Sequence, residues 1–372
     1  MTTEEALKLV LTPLDALDPL LQAAGELRDQ LKGHHLTYSR KVFLPVTNLC
    51  RDRCSYCTFR KSPNQAGAKT MTLDEIRSWS AGAKKLDCKE ALMCLGDRPE
   101  TVYPSYAATL RRLGVDTTVE YVEHACRVAL EEGLWPHTNA GVMTRGEMVR
   151  LRPVNISLGL MLENVSPRLR AKGGPHAAAP DKDPLLRVRM LEEAGQLSIP
   201  FTTGLLMGIG ETPEELIETL AEIRRIHEQY GHLQEVIIQP FRAKPDVPMA
   251  GHGEPSELEL ARMVAVSRLF LGEMNLQAPP NLAPGGIELL IRAGINDWGG
   301  ISPYTKDFIN PEAPWPHLEN LARTCEGLGY TLGERLAIYP EYLEDPKWLD
   351  EALRPAVRSA QERLGLSTCQ AC

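Results

Sequence analysis

The chain has 372 residues, 43% of them hydrophobic and 24% charged, with 41 Lys and Arg against 49 Asp and Glu for a net charge of −8. That length buries a sizeable core in one large domain or two small ones, and an acidic balance without any Lys/Arg block argues against a polyanionic partner, so no nucleic acid is expected. No stretch of about eighteen uninterrupted apolar residues occurs, and the opening MTTEEALKLVLTPLD carries acids where a leader would carry a basic run and an apolar block; no membrane contact and a cytoplasmic location are expected.

Residues 1–40 read as a helical lead-in. From residue 41 short β-rich runs alternate with amphipathic helical stretches, the pattern of parallel strands joined by crossover helices. Strands are expected at 41–47 (KVFLPVT), 90–95 (EALMCL), 135–139 (WPHTN), 155–162 (NISLGLML), 200–207 (PFTTGLLM), 235–241 (EVIIQPF) and 275–278 (NLQA), with a weaker one at 294–298. The clearest helices are expected at 72–86, 118–132, 213–230 and 256–274; in the third, Thr212 is a capping residue followed by Pro213 in the first turn. Such a series predicts an α/β fold, a complete or nearly complete (β/α) barrel over 41–315, with the helical lead-in and a C-terminal helical extension over 316–372 packed on it. The Gly/Pro/Ala-rich stretch 172–184 (KGGPHAAAPDKDP) reads as a mobile surface loop.

Nine cysteines are an odd count with no sign of export, so a disulfide framework is improbable and metal or catalytic use gains weight. Cys88, Cys94, Cys126 and Cys325 read as small hydrophobes, and the terminal Cys369 and Cys372 as an incidental pair. Cys50, Cys54 and Cys57 are different: they crowd one loop directly after the first strand, in TNLCRDRCSYCTF. Three thiolates on a four-iron cluster leave one iron open. A structural zinc would need a fourth ligand, and no Cys or His stands nearby in sequence, although a distant one would serve.

The Cys-x3-Cys-x2-Cys spacing, with Tyr56 before the last cysteine, resembles the signature of radical S-adenosylmethionine (SAM) enzymes. The resemblance implies one [4Fe-4S] cluster on Cys50, Cys54 and Cys57, with SAM on its open iron. It also implies cofactor contacts from Tyr56, from Gly96 and Asp97 in LGDRPE, and from Gly208 and Glu211 in GLLMGIGE, where small residues admit close approach. Ser157 and Glu163 of the fourth strand are expected at the same mouth.

Longer blocks narrow the resemblance. YSRKVFLPVTNLCRDRCSYCTFRK, KEALMCLGDRPE, PHTNAGVMTRGEM, RPVNISLGLMLE, IPFTTGLLMGIGET, EVIIQPFRAKPDVPMAG and AGINDWGGISPYTKDFINPEAPWP are similar to the CofG-type subunit of 7,8-didemethyl-8-hydroxy-5-deazariboflavin (FO) synthase, which closes the chromophore ring on the route to coenzyme F-420. The implied substrate is a 4-hydroxybenzyl adduct of a ribitylated aminouracil made by a separate CofH-type subunit. The implied electron source is a reductant such as ferredoxin or flavodoxin. A polar, multiply hydroxylated heterocycle calls for amide, carboxylate and aromatic groups, and Gln239, Arg242, Asn281, Asn296, Asp297 and Trp298 on the late strands are the candidates. His137 and Asn139 are weaker ones. Competing readings are the CofH-type sister, a menaquinone-pathway or biotin-synthase-like relative, and a non-catalytic zinc or iron-sulfur sensor.

Overall fold

The structure is a computed structural model and describes residues 1–365, so Cys369 and Cys372 lie outside the described residues. Eight parallel strands close on themselves: β1 (His35–Thr47), β2 (Glu90–Leu95), β3 (Trp135–Asn139), β4 (Ser157–Gly159), β5 (Phe201–Met207), β6 (Leu233–Pro240), β7 (Leu276–Gln277) and β8 (Asp297–Ile301). Closure comes from β1, which pairs with β2 from Lys41 to Thr47 and with β8 from Thr37 to Arg40. The expected (β/α) barrel is therefore complete.

The crossover helices start where their sequence tells them to. Thr72, Thr117, Thr144, Thr212 and Ser256 each cap a helix, and a Glu three residues later returns a bond to the cap backbone. Each such box satisfies amide donors that the first turn leaves free. Apolar faces of these helices and the outer faces of the strands form one continuous core.

Four departures from the expected elements have local causes. β1 begins at His35, inside the segment expected to be helical, because a ninth strand, β9 (Thr331–Arg335), pairs with its first half from His35↔Thr331 to Ser39↔Arg335. β8 begins at Asp297 rather than 294, since Gly294 sits at φ +93° in the turn that ends the helix Ile287–Arg292. β4 keeps three residues as regular ladder, and the chain then bends toward Glu163, which is held at φ +65°. The C-terminal extension holds not only the helices Leu318–Gly327 and Arg354–Arg363 but also β9 and the strap that follows it.

That strap closes the barrel from below. Ser157 Oγ and Gln234 Nε2 both donate to the Ala337 carbonyl, at 2.7 and 2.9 Å, and the Tyr339 amide donates to Gln234 Oε1 at 3.1 Å. Beneath it Ile156, Leu336, Ile338, Tyr342 and Val357 pack into a second apolar cluster. The open end is the one at the strands' C-termini, where loops carry chemistry in this architecture.

Candidate active site

Strand alternation decides what faces the barrel axis. On β1 the inward residues are Ser39, Lys41 and Phe43; on β2 they are Glu90, Leu92 and Cys94; on β3, His137 and Asn139; on β6, Glu235, Ile237 and Gln239. The axis of such a barrel is ordinarily filled by branched apolar side chains. Here it is polar and open, a cavity of about 370 Å³ that runs from the loop after β1 down to Arg335 and Ala337 on the strap.

Cys50, Cys54 and Cys57 line the mouth of this cavity as free thiols. Their loop is pinned from three sides. Asn48 exchanges bonds with Gly67 and Lys69 at 2.8 Å, the Arg51 amide donates to the Asp97 carbonyl at 2.9 Å, and the Arg53 and Ser55 amides donate to Ala178 and Pro175, both at 2.9 Å. The stretch 172–184, expected to be a mobile surface loop, is thus docked on the cysteine loop. Burial pushes the Cys50 thiol up to about 12 and raises Cys54 as well, so these sulfurs become thiolates when a cation compensates the burial.

The donor set distinguishes cluster from zinc. Four sulfurs around zinc at about 2.3 Å stand roughly 3.8 Å apart. Among the described residues, the one group of His, Cys, Asp or Glu whose ligating atoms all lie within 4.8 Å of one another is Asp52, Asp97 and Asp181. The three thiols form no such group, so at least one pair of their sulfurs stands more than 4.8 Å apart, wider than the spacing around one zinc ion.

The strand ends beside the thiols are built for close approach. A Cβ on Gly96 would overlap the Leu49 carbonyl and stand 2.6 Å from Cys50 Cβ, so only glycine lets β2 end there. The next amide, of Asp97, donates to Cys50 Sγ at 3.1 Å. Asp97 is 5% exposed; one carboxylate oxygen accepts from the Val142 amide at 2.9 Å, and Oδ1 has no partner among the described residues. Burial, reinforced by Asp181 and Asp52, pushes this carboxyl up to about 7. An unpaired acceptor beside the thiols fits the ammonium of an amino-acid ligand.

Glu163 reaches the same mouth but is already engaged. It accepts from Tyr56 Oη at 2.7 Å, pairs with Lys182, and stands 3.2 Å from His176 Nε2. Burial alone would raise its carboxyl; Lys182, the His176 hydrogen bond and Arg187 outweigh that and hold it well below the usual range. Its effect is to tie Tyr56, and with it the cysteine loop, to β4.

The remaining candidates divide sharply. Gln239, Arg242 and Asn281 line the cavity, as do His137 and Asn139. Asn281 donates to Asp307 at 3.1 Å while its Oδ1 lacks a partner among the described residues; Arg242 is spent on the carbonyls of Leu282 and Pro255 and on Glu254. Ser157 does not reach the mouth, because its hydroxyl is bound below to Ala337 and His137. Gly208 and Glu211 lie outside the lining: the Gly208 and Ile209 amides donate to the Glu211 carboxylate at 2.6 and 2.8 Å, closing a turn. Asn296 faces outward, bound to Arg268 and Asn275, and Trp298 is wholly buried in the core between barrel and helices. Asp297 is also wholly buried, receiving Arg335 at 2.6 and 2.7 Å beneath the cavity rather than within it.

Sequence reasoning missed Lys41, Glu90, Thr202, Glu235, Gln277, Arg335 and Trp315, all of which line the cavity. The usable signal was a charged residue inside or opening a strand that must be buried on both faces. Trp315, stacked on Phe43 with centroids 5.2 Å apart, comes from a loop whose path no local pattern reveals.

Comparison with known proteins agrees with this geometry. The Radical SAM superfamily matches residues 44–223. The chain is 49% identical over 309 residues to the 7,8-didemethyl-8-hydroxy-5-deazariboflavin synthase of Methanopyrus kandleri, covering 83% of this chain and 92% of that protein. It is 46% identical to the FO synthase of Streptomyces coelicolor over 94% of its own length, but spans only 42% of that longer protein. In fold it is similar to the FeFe-hydrogenase maturase HydG from Carboxydothermus hydrogenoformans (TM-score 0.74, 18% identity, 91% and 77% of the two chains). Methylornithine synthase is also similar (TM-score 0.69, 21% identity, 89% and 94%).

Proposed function

The chain belongs to the 7,8-didemethyl-8-hydroxy-5-deazariboflavin synthase family of the radical SAM superfamily, and on that premise we propose that it closes the ring of the 4-hydroxybenzyl–ribitylaminouracil adduct, releasing ammonia and forming the deazaflavin FO. The observation that carries this reading is that the three thiols and a polar, aromatic-edged interior share one cavity. When bound, the [4Fe-4S] cluster and SAM supply a 5'-deoxyadenosyl radical.

The chain's own residues hold and shield. Cys50, Cys54 and Cys57 would ligate the cluster; the unpaired Asp97 Oδ1 would receive the SAM ammonium, and Gly96 would let its backbone approach. Tyr56, tied by Glu163, fixes the loop. Gln239 and Asn281 offer amides to the edges of the heterocycle, and Phe43 with Trp315 gives the phenol ring an apolar surface. The docked stretch 172–184 and the strap under the barrel enclose the cavity and keep bulk solvent and its solutes from a reactive intermediate.

This chain spans only 42% of the longer FO synthases of Streptomyces coelicolor and Mycobacterium tuberculosis, which supports a second, separate barrel of the CofH type as the source of the adduct. The electron comes from a small reductant such as ferredoxin or flavodoxin. No helix among the described residues is long and apolar enough to cross a membrane, and we place the reaction in the cytoplasm, where free thiols persist.

The test is to supply the reconstituted protein with reductant, SAM and adduct under anaerobic conditions. Ammonia and a fluorescent deazaflavin are expected in equal amounts. A sulfur-inserting or menaquinone-type enzyme releases neither from this adduct, and that result would refute the reading.

A further inference from the structure

The cavity's inner end is the least expected part of the molecule. Lys41, Glu90, His137, Thr202, Glu235 and Arg335 converge where a barrel of this kind packs hydrocarbon. Burying such groups is costly unless they are paired or await a polar ligand. Pairing is arranged. Lys41 stands 3.4 Å from Glu90, Thr202 donates to Glu235 at 3.1 Å, and Arg335 bridges Glu235 and Asp297. The backbone also gives way to these side chains, since a Cβ on Gly300 would overlap Lys41.

The proton positions on His137 follow from its neighbours. Ser157 Oγ lies 2.7 Å from the Ala337 carbonyl, which can only accept, so the hydroxyl proton is spent there. The Ser157 oxygen must then accept from His137 Nδ1, 2.6 Å away. Burial pushes His137 down to about 4, so the ring is neutral and Nε2 carries a lone pair. Opposite that atom stands Gly159, where a Cβ would come within 2.9 Å of it; the missing side chain leaves Nε2 facing the cavity.

The inner end therefore offers an ammonium donor at Lys41 and acceptors at His137 Nε2, Glu90 and Glu235. Its two cations are matched by Glu90 and Asp297 before Glu235 is counted. A ligand suited to it has groups that each donate and accept, and carries no negative charge. We propose that this inner end is the subsite for the polyhydroxyl chain of the substrate, that it takes the chain only unphosphorylated, and that heterocycle and phenol lie toward the thiols. This rests on the deazaflavin-synthase reading, whose relatives are named for a product with a ribityl chain.

Binding of three fluorescent probes to the reconstituted full chain tests it: the ribityl deazaflavin product, its 5'-phosphate, and an analogue with an n-pentyl chain. The ribityl compound is expected to bind roughly 10²-fold more tightly than either of the others, the size of effect seen when buried hydrogen-bonding groups lose their partners. In His137→Phe, which removes one acceptor, and Lys41→Met, which removes the ammonium donor together with the counter-charge of Glu90, the ribityl compound should lose most of that advantage while the pentyl compound changes little. Equal binding of the phosphate ester or the pentyl compound to the unmodified protein overturns the subsite. So does an advantage that survives in both variants with their cluster absorption intact. Failure of all three probes to bind refutes the deazaflavin reading itself, and the subsite with it.

Discussion

Asp97 and Glu235 show how single residues record the site. Both are buried carboxyls pushed up to about 7, the first by burial with Asp181 and Asp52, the second by burial with Asp297 against the pull of Arg335. An ordinary glutamate titrates near 4.3. The native state therefore keeps a proton on Glu235 that the unfolded chain gives up, and stability falls as pH rises between about 4.3 and about 7, then levels off. Glu235→Gln has no proton to lose there. Urea unfolding at about pH 5 and about pH 8 should show a smaller decline for the variant than for the unmodified protein; equal declines would mean that Glu235 is ionised throughout. Asp297, by contrast, was read from sequence as a substrate contact, and its two bonds to Arg335 make it a positioning residue for the floor. Local sequence shows that a carboxylate lies in a strand but not which partner will arrive from residue 335.

At the scale of elements, alternation and capping carried most of the information. Apolar periodicity placed the long helices, with Thr212 the one cap read in advance and Thr72, Thr117, Thr144 and Ser256 making the same box; every expected strand is found near its place, because inward and outward residues alternate on a backbone with period two. What alternation does not reveal is whether the inward set packs or encloses space. Lys41, Glu90 and Glu235 each open or flank a run of apolar residues, so a local reading sets them at strand boundaries when they in fact line the axis. β9 was invisible for a similar reason: TLGER is short, polar and glycine-bearing, and it becomes a strand only because β1 extends past β2 to receive it. The loop after β2 was legible through Gly96, whose place against Leu49 and Cys50 leaves no room for a side chain. Gly96→Ala should force the two loops apart at a cost of about 1–3 kcal/mol and lower iron retention at least several-fold after reconstitution. Full iron content in a normally folded variant would show that the approach of β2 to the cysteine loop is dispensable.

For the whole molecule, the C-terminal extension is part of the catalytic vessel. Residues 331–339 supply a strand, the arginine that joins β6 to β8, and the strap that seals the barrel, while Arg335 also lies 4.0 Å over the Tyr339 ring. Replacing Arg335 by leucine would leave Asp297 and Glu235 buried without their cation, a loss of about 3–5 kcal/mol, visible as a lower unfolding midpoint with the cysteine loop unaltered. A midpoint unchanged from the unmodified protein would show that the strap is held by its apolar underside alone.

On the proposed reading, radical generation at the cysteine loop and ring closure in the barrel occur in one enclosed space. The most direct test follows 5'-deoxyadenosine and deazaflavin together in a single anaerobic turnover with SAM and adduct. The two should appear at the same rate and in equal amounts. 5'-Deoxyadenosine formed without deazaflavin, or deazaflavin formed without 5'-deoxyadenosine, would contradict it.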